Sequence, residues 1–314
     1  MNSKPPILMR LHSEMLHRLP LMSGVTRLSF NIITNNCFRR INNNVRARLI
    51  NGCTIDVNPN DYDGRVLYFF GTADPKVHHV TQALLRPGDI YLDIGANLSS
   101  IGIPAADKVG PSGMVHLFEP QPELCHSVQD VIEREGLSGR IQLHRIGLWD
   151  SDGELTLIQP EPWGNKEYAH HSGGATFVES EDTKKWTRKQ TVPVRNVATY
   201  LPPLLKNREF GAKLDVEGAE IKILPWLLTQ SRLRFIIFEA THNQEELYKH
   251  IESSSLTLFG LVKSIFKKRI YRIEKYQEML SFPDLVGIRL PEGVNIPKTI
   301  NPYKLAQLLN SNSA

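Results

Sequence analysis

The chain has 314 residues, 41% of them hydrophobic and 22% charged, with a formal net charge of +4. That length carries one large domain or two small ones with ample core, and the mild charge excludes the strong basic bias of a dedicated nucleic-acid binder. Cys37, Cys53 and Cys125 show no CxxC spacing and make neither a disulfide framework nor a zinc site, which fits a reducing cytoplasm. No apolar run reaches the roughly 18–20 residues needed to span a bilayer.

Residues 1–45 read as a helical, loop-rich arm of basic amphipathic character. His12, Glu14, His17 and Arg18 interrupt any signal-peptide core. Such an arm packs on its own domain or on a second copy, as a homodimer. The main domain is expected over 46–290, and 291–314 form a tail with a short helix. "RARLINGCTIDV" predicts two short strands around the Asn51-Gly52 turn. "KVHHVTQALL" predicts a helix stopped by Pro87-Gly88.

From residue 89 the pattern changes. "DIYLDIG", "GMVHLFEP", "RIQLHRIGLWD", "FGAKLDV" and "RFIIFEA" are short apolar runs with the look of buried parallel strands. "SIGIPAADKVG", "QPELCHSVQDVIEREG" and "EIKILPWLL" between them read as helices. "GELTLIQ" is a further extended piece, and "QTVPVRNVATYLPPLL" a strand leading into a helix. "KRIYRIEKYQEML" and "DLVGIRL" hold a last pair of strands, and "PYKLAQLLN" closes the chain as a helix. Strands alternating with helices predict an α/β fold: a mainly parallel, twisted sheet with helices on both faces.

In open parallel sheets, ligands bind beyond the carboxyl ends of the strands. Four such ends here carry acids: Asp93, Glu119, Asp215 to Glu220, and Glu239. The first loop, "LDIGANLSS", has one Gly where a dinucleotide site needs GxGxxG, and it lacks the GK[ST] of a phosphate loop. An Asp before that Gly repels phosphate and suits a cationic nucleotide. S-Adenosylmethionine carries a sulfonium and an amino-acid head. Gly95 would let the backbone approach it, and Asn97 would bond it or cap the next helix. Glu119, one βαβ unit later, is placed to bridge ribose hydroxyls.

The sequence resembles the FkbM-type methyltransferases, a branch of the class I, Rossmann-like S-adenosylmethionine-dependent fold. The resemblance lies in "LRPGDIYLDIGAN", "VHLFEPQP", "IGLWDSDGELTL", "VPVRNVATYL", "KLDVEGAEIKIL" and "FIIFEATH", in that order over roughly residues 65–290. It implies an expected cofactor set of Asp93, Gly95, Ala96, Asn97, Ser99, Glu119 and Trp149. Asp93, Gly95 and Asn97 would lie around the methionine part, and "KLDVEGAE" beside the methyl group and the acceptor. Two positions depart from the family. Ser99 stands where Gly is usual, to cap the helix or narrow the pocket. Trp149 replaces a smaller residue, to stack near the adenine or fill core.

Methyl transfer from a sulfonium is an in-line displacement, so a protein mainly aligns the acceptor and excludes water. A hydroxyl acceptor gains from a general base. Asp215, at a buried strand end, is the first candidate; Glu220 and His242 are the others. Glu217 and Glu220 fit equally as first-turn acids of a helix, and His242 as a turn residue. His170 and His171 lie in a polar loop that reads as an acceptor lid or as solvated chain. No metal is expected, because a divalent-ion site needs several converging oxygens that linear sequence does not show. "VKSIFKKR" reads as a helix with its charges in water. The expected activity is O-methylation of a saccharide or small-molecule hydroxyl, without nucleic acid or a membrane span. Protein or nucleic-acid methylation, or a non-catalytic binding module, are the alternatives.

Overall fold

The computed structural model describes residues 5–18, 29–160, 172–181, 183–262 and 268–311. His170, His171, Lys263 and Lys267 lie outside the described residues, so the expectation of a lid is not addressed. Lys268 and Arg269 are not helical.

The chain opens with helices α1 (Ile7–His17) and α2 (Ile32–Phe38) and a hairpin of β1 (Val45–Arg48) and β2 (Thr54–Val57). Helices α3 (Tyr62–Phe70) and α4 (Pro75–Leu84) follow. Asp61 caps α3 by accepting from Gly64 N–H, and Asp74 caps α4 with Pro75 at its first position. The α3 sequence shows no amphipathic stripe because the helix is buried nearly all round, from Asp63 to Phe70. Its Arg65 is fully buried between the rings of Phe30 and Phe38 and donates to the Pro59 carbonyl at 2.8 Å.

The main frame then follows: β3 (Ile90–Ile94), α5 (Gly102–Val109), β4 (Met114–Phe118), α6 (Pro122–Arg134), β5 (Ile141–His144), β6 (Gly147–Trp149), β7 (Gly153–Gln159), β8 (Arg188–Asn196), α7 (Val197–Leu205), β9 (Phe210–Leu214), α8 (Glu220–Leu228), β10 (Leu233–Glu239), α9 (Gln244–Glu252), β11 (Leu256–Leu261), β12 (Ile270–Arg272), α10 (Tyr276–Met279), β13 (Asp284–Arg289), β14 (Thr299–Ile300) and α11 (Pro302–Ser311). Nine strands form one sheet in the order β14-β12-β11-β13-β10-β9-β3-β4-β5. β3, β4, β5, β9 and β10 pair in parallel, and β13 inserts antiparallel between β10 and β11. The C-terminal tail is built into this frame: β14 pairs with β12, and α11 packs on α4.

Strand periodicity splits the core into two layers. Ile90, Leu92 and Ile94 face the layer of α7, α8 and α9, whereas Tyr91 faces that of α4, α5 and α6. "RIQLHRIGLWD" is expected to be one strand but is two. β5 stays in the main sheet, while β6 joins β8 and β7 in a separate three-stranded sheet. β7 alternates polar and apolar residues and leaves most of one side in water, which an antiparallel edge tolerates and a central parallel strand does not.

Candidate active site

The chain runs outward through β3, β4 and β5 and returns through β9 and β10. The strand order therefore reverses between β3 and β9, and a crevice opens at their carboxyl ends. The loop after β3 forms one wall. Gly95 N–H and Ala96 N–H both donate to the Phe118 carbonyl at 3.0 and 2.9 Å, and Asn97 N–H donates to Glu119 Oε2 at 2.8 Å. The loop is thus folded over the end of β4.

Gly95 is in the left-handed region (φ 75°), and a Cβ there would lie 1.8 Å from the Asp215 carbonyl oxygen. Close packing against the residue after β9 by itself requires this glycine. Gly95, Ala96 and Asn97 all line the cavity. Asn97 Oδ1 is buried without a hydrogen-bond partner, an acceptor left open at the wall.

Ser99 is placed differently from the expectation. It is fully buried, does not line the cavity and does not cap α5, and its Oγ has no partner. Its φ of 52° puts it in the conformation that favours Gly. Asp93 also stands outside the cavity wall. Strand parity turns it to the same side as Tyr91, beneath α5, where a Cβ on Gly102 would meet its Oδ2 at 2.7 Å. Burial pushes its carboxyl upward, and Lys213 at 3.4 Å pulls against that rise.

Lys213, which sequence reasoning missed, lines the crevice. It donates to the Gly95 carbonyl at 2.9 Å and pairs with Asp215 at 3.2 Å. Burial opposes its charge, but Asp215 and Asp93 together hold it protonated. A single lysine within the otherwise apolar strand "FGAKL" was the available signal.

Glu119 lies where the sequence places it, at the end of β4 on the cavity wall. Its carboxylate accepts from the N–H groups of Asn97 and Gln121, and burial pushes it up to about 7. Trp149 does not reach the cavity. It packs edge-on against Phe177 with Lys222 over its ring, on the outer side of the small sheet, while Ile146, Leu148 and Phe177 line the crevice instead.

Beyond the loop, Asp215 and Glu217 line the cavity, and Glu239 closes in from β10. Ligand oxygens of these three residues lie within 4.8 Å of one another. The Asp215 side chain keeps 42% of its surface exposed, in contrast to the buried position expected. Glu217, at φ 52°, is pushed up to about 8 by burial and then by Asp215 and Glu239; Glu239 is pushed up to about 7 by burial and Asp215. Glu220 does not line the cavity. Buried at the start of α8, it accepts from Val216 N–H and Gly218 N–H and stitches its own turn. His242 is exposed beside Thr241 and does not line the cavity. A further wall comes from the described end of the polar loop that the sequence offered as an acceptor lid. The Ser172–Gly174 turn is held on Asp61 and Asp63 through Ser172 N–H at 2.8 Å and Gly173 N–H at 2.8 Å.

A reversed parallel sheet with a Gly-containing loop, a strand-end Glu and acids facing the crevice defines a Rossmann-like fold with a ligand crevice at its switch point. The methyltransferase FkbM domain model matches residues 93–273, more than half of the chain, and the chain belongs to that family. It is an S-adenosylmethionine-dependent methyltransferase. Similar solved structures include a SAM-dependent O-methyltransferase from Thermotoga maritima, at 11% identity over 70% of this chain and 67% of that one, with a TM-score of 0.37. The methyltransferase FkbM from Methylobacillus flagellatus KT shares 14% identity over 73% of this chain, with a TM-score of 0.38; the chain spans about half, 55%, of its length. A precorrin-6y C5,15-methyltransferase from Geobacter metallireducens GS-15 shares 13% identity over 69% of this chain and 93% of that one, with a TM-score of 0.37. No curated protein matches the chain. At these scores, the chemistry of the site rests on this chain's own residues.

Proposed function

We propose that the protein is an O-methyltransferase acting on a hydroxyl of a saccharide or small-molecule intermediate, with S-adenosylmethionine as donor. The observation that carries this reading is the pair Asp215 and Glu217 on the cavity wall, just past the β3 loop.

The crevice fits a cationic nucleotide. The open Asn97 Oδ1 accepts from an ammonium group, and each Glu119 oxygen, with one amide already bound, keeps a second lone pair for a ribose hydroxyl. When bound, the cofactor supplies a methyl group on a sulfonium that is already a good leaving group. Asp215, paired with Lys213 at 3.2 Å, sits on the same wall, where a carboxylate would face that cation. Glu217, lifted to about 8, is matched to taking a proton from a hydroxyl near neutral pH. Ile146, Leu148, Leu157 and Phe177 line the crevice with apolar surface and exclude water.

Polynucleotide acceptors are disfavoured, because Asp63, Asp74, Asp215, Glu217 and Asp284 all line this cavity. A labelled-methyl transfer assay over a library of saccharides, small hydroxyl compounds, RNA and peptides tests the reading. Transfer to a hydroxyl compound, with kcat lowered about 10²- to 10⁴-fold in Glu217→Gln at unchanged KM, is the expected result. Transfer confined to RNA or peptide overturns it.

A further inference from the structure

The charge of this protein is concentrated at one end. Residues 1–50 contain eight Lys and Arg against the single acid Glu14, a net of +7, while the remaining 264 residues net −3. The +4 of the whole chain hides this asymmetry.

The structure shows how the N-terminal elements are mounted. Met9, Ser13 and Leu16 of α1 are buried against α3, with Ser13 Oγ donating to the Tyr68 carbonyl at 2.7 Å. The rings of His12 and Phe38 both pack on Phe69, so α1 and α2 share one support. Gly71, at the end of α3, is approached by both His17 and the Arg48 carbonyl, which brings β1 to the same corner.

That mounting leaves a second apolar stripe facing outward. Ile7, Leu8, Leu11 and Met15 follow helical spacing and are 74%, 56%, 59% and 55% exposed. Ile33 on α2 adds another at 57%. The other exposed large apolar side chains among the described residues are scattered singly over the rest of the chain. Arg10 lies on α1, Arg18 just after it, Arg40 just after α2 and Arg48 on β1, and all four are exposed.

We propose that this face binds an anionic lipid surface, with the α1 stripe entering the headgroup boundary and the arginines meeting lipid phosphates. A second copy fits poorly, since a twofold pairing would set two strongly positive units face to face. A nucleic acid would meet the cations, but the outward stripe offers it aliphatic side chains and no aromatic ring to stack on. The opposite side of α3 carries Asp63 and Leu67 into the wall of the cavity, so one helix separates the docking face from the site. This inference does not depend on the identity of the acceptor.

The test is co-sedimentation of the full chain with phosphatidylglycerol–phosphatidylcholine vesicles and with pure phosphatidylcholine vesicles, at about 0.1 M salt. Binding to the anionic vesicles, weakened at high salt and marginal on pure phosphatidylcholine, is expected. Two variants, Leu8→Glu with Leu11→Glu and Arg10→Glu with Arg18→Glu, should each lower partition about tenfold or more. These side chains are exposed, so thermal midpoint and cofactor binding should stay at the parent level. Absence of binding, or binding indifferent to the Leu8 and Leu11 changes, overturns the proposal. So does a dimer in sedimentation that becomes a monomer in the same variant, or RNA binding that survives it and outcompetes the vesicles.

Discussion

Lys213 and Gly95 are joined across the switch point of the sheet, the ammonium donating to the carbonyl at 2.9 Å while also pairing with Asp215 and Asp93. One buried cation therefore ties the loop after β3, the strand before the acids and the acid beneath α5 into a single unit. Because Lys213 and Asp93 are buried, removing one leaves the other uncompensated.

Lys213→Met is expected to lower stability by about 3–5 kcal/mol, since Asp93 would remain buried without its counter-charge. Adding Asp93→Asn should recover part of that loss. Denaturant unfolding of the single and double variants measures it; an unaltered midpoint in the single variant would remove Lys213 from this role.

Ser99→Gly should leave cofactor affinity unchanged, because Ser99 does not line the cavity. It relieves a left-handed serine, worth about 1 kcal/mol, and removes a buried unpartnered hydroxyl, while the added flexibility of the unfolded chain takes back part of that gain. Thermal melts should show an equal or higher midpoint. A large loss of affinity in calorimetry would show instead that the hydroxyl is used.

Glu217 makes two pH predictions. Its folded pKa is raised from 4.5 to about 8, so the folded state holds a proton that the unfolded chain has lost. Its contribution to stability is therefore full below about pH 4.5, declines as the pH rises and is gone above about pH 8. The midpoint of Glu217→Gln should fall less than that of the parent between pH 5 and 8. If Glu217 is the base, kcat of the parent should also rise through a midpoint near pH 8 to a plateau above it, a limb absent from Glu217→Gln and retained in Asp215→Asn.

Chelation should leave methyl transfer unchanged, since displacement from a sulfonium needs no Lewis acid. The trio Asp215, Glu217 and Glu239 offers the oxygens that a divalent ion would use. Loss of activity in EDTA, restored by Mg²⁺ and abolished in Glu239→Gln, would reassign them as ligands.

Much of the frame was legible in local sequence. The apolar runs "DIYLDIG", "GMVHLFEP" and "RFIIFEA" became parallel strands, Pro122 and Pro75 opened their helices, and Glu119 reached the crevice as the position after its strand. Such signals depend on each residue's own propensity and on spacings of two or about four residues. Helix α3 escaped because burial on all sides erases the stripe that marks a helix, and β6 escaped because only the partner strand decides which sheet a segment joins.

Composition and periodicity by themselves determined the α/β alternation, the strand ends that carry acids and the basic N-terminal arm. Tertiary structure alone decided which acids face the cavity. Asp93 and Glu220 are turned into supporting bonds, while Asp215 and Glu217 stay open to the crevice and Glu239 closes in on them. The same is true of Gly95, whose missing side chain is filled by a carbonyl oxygen 120 positions later. Contacts between segments so far apart follow from the register of packed strands, which no local stretch of chain encodes.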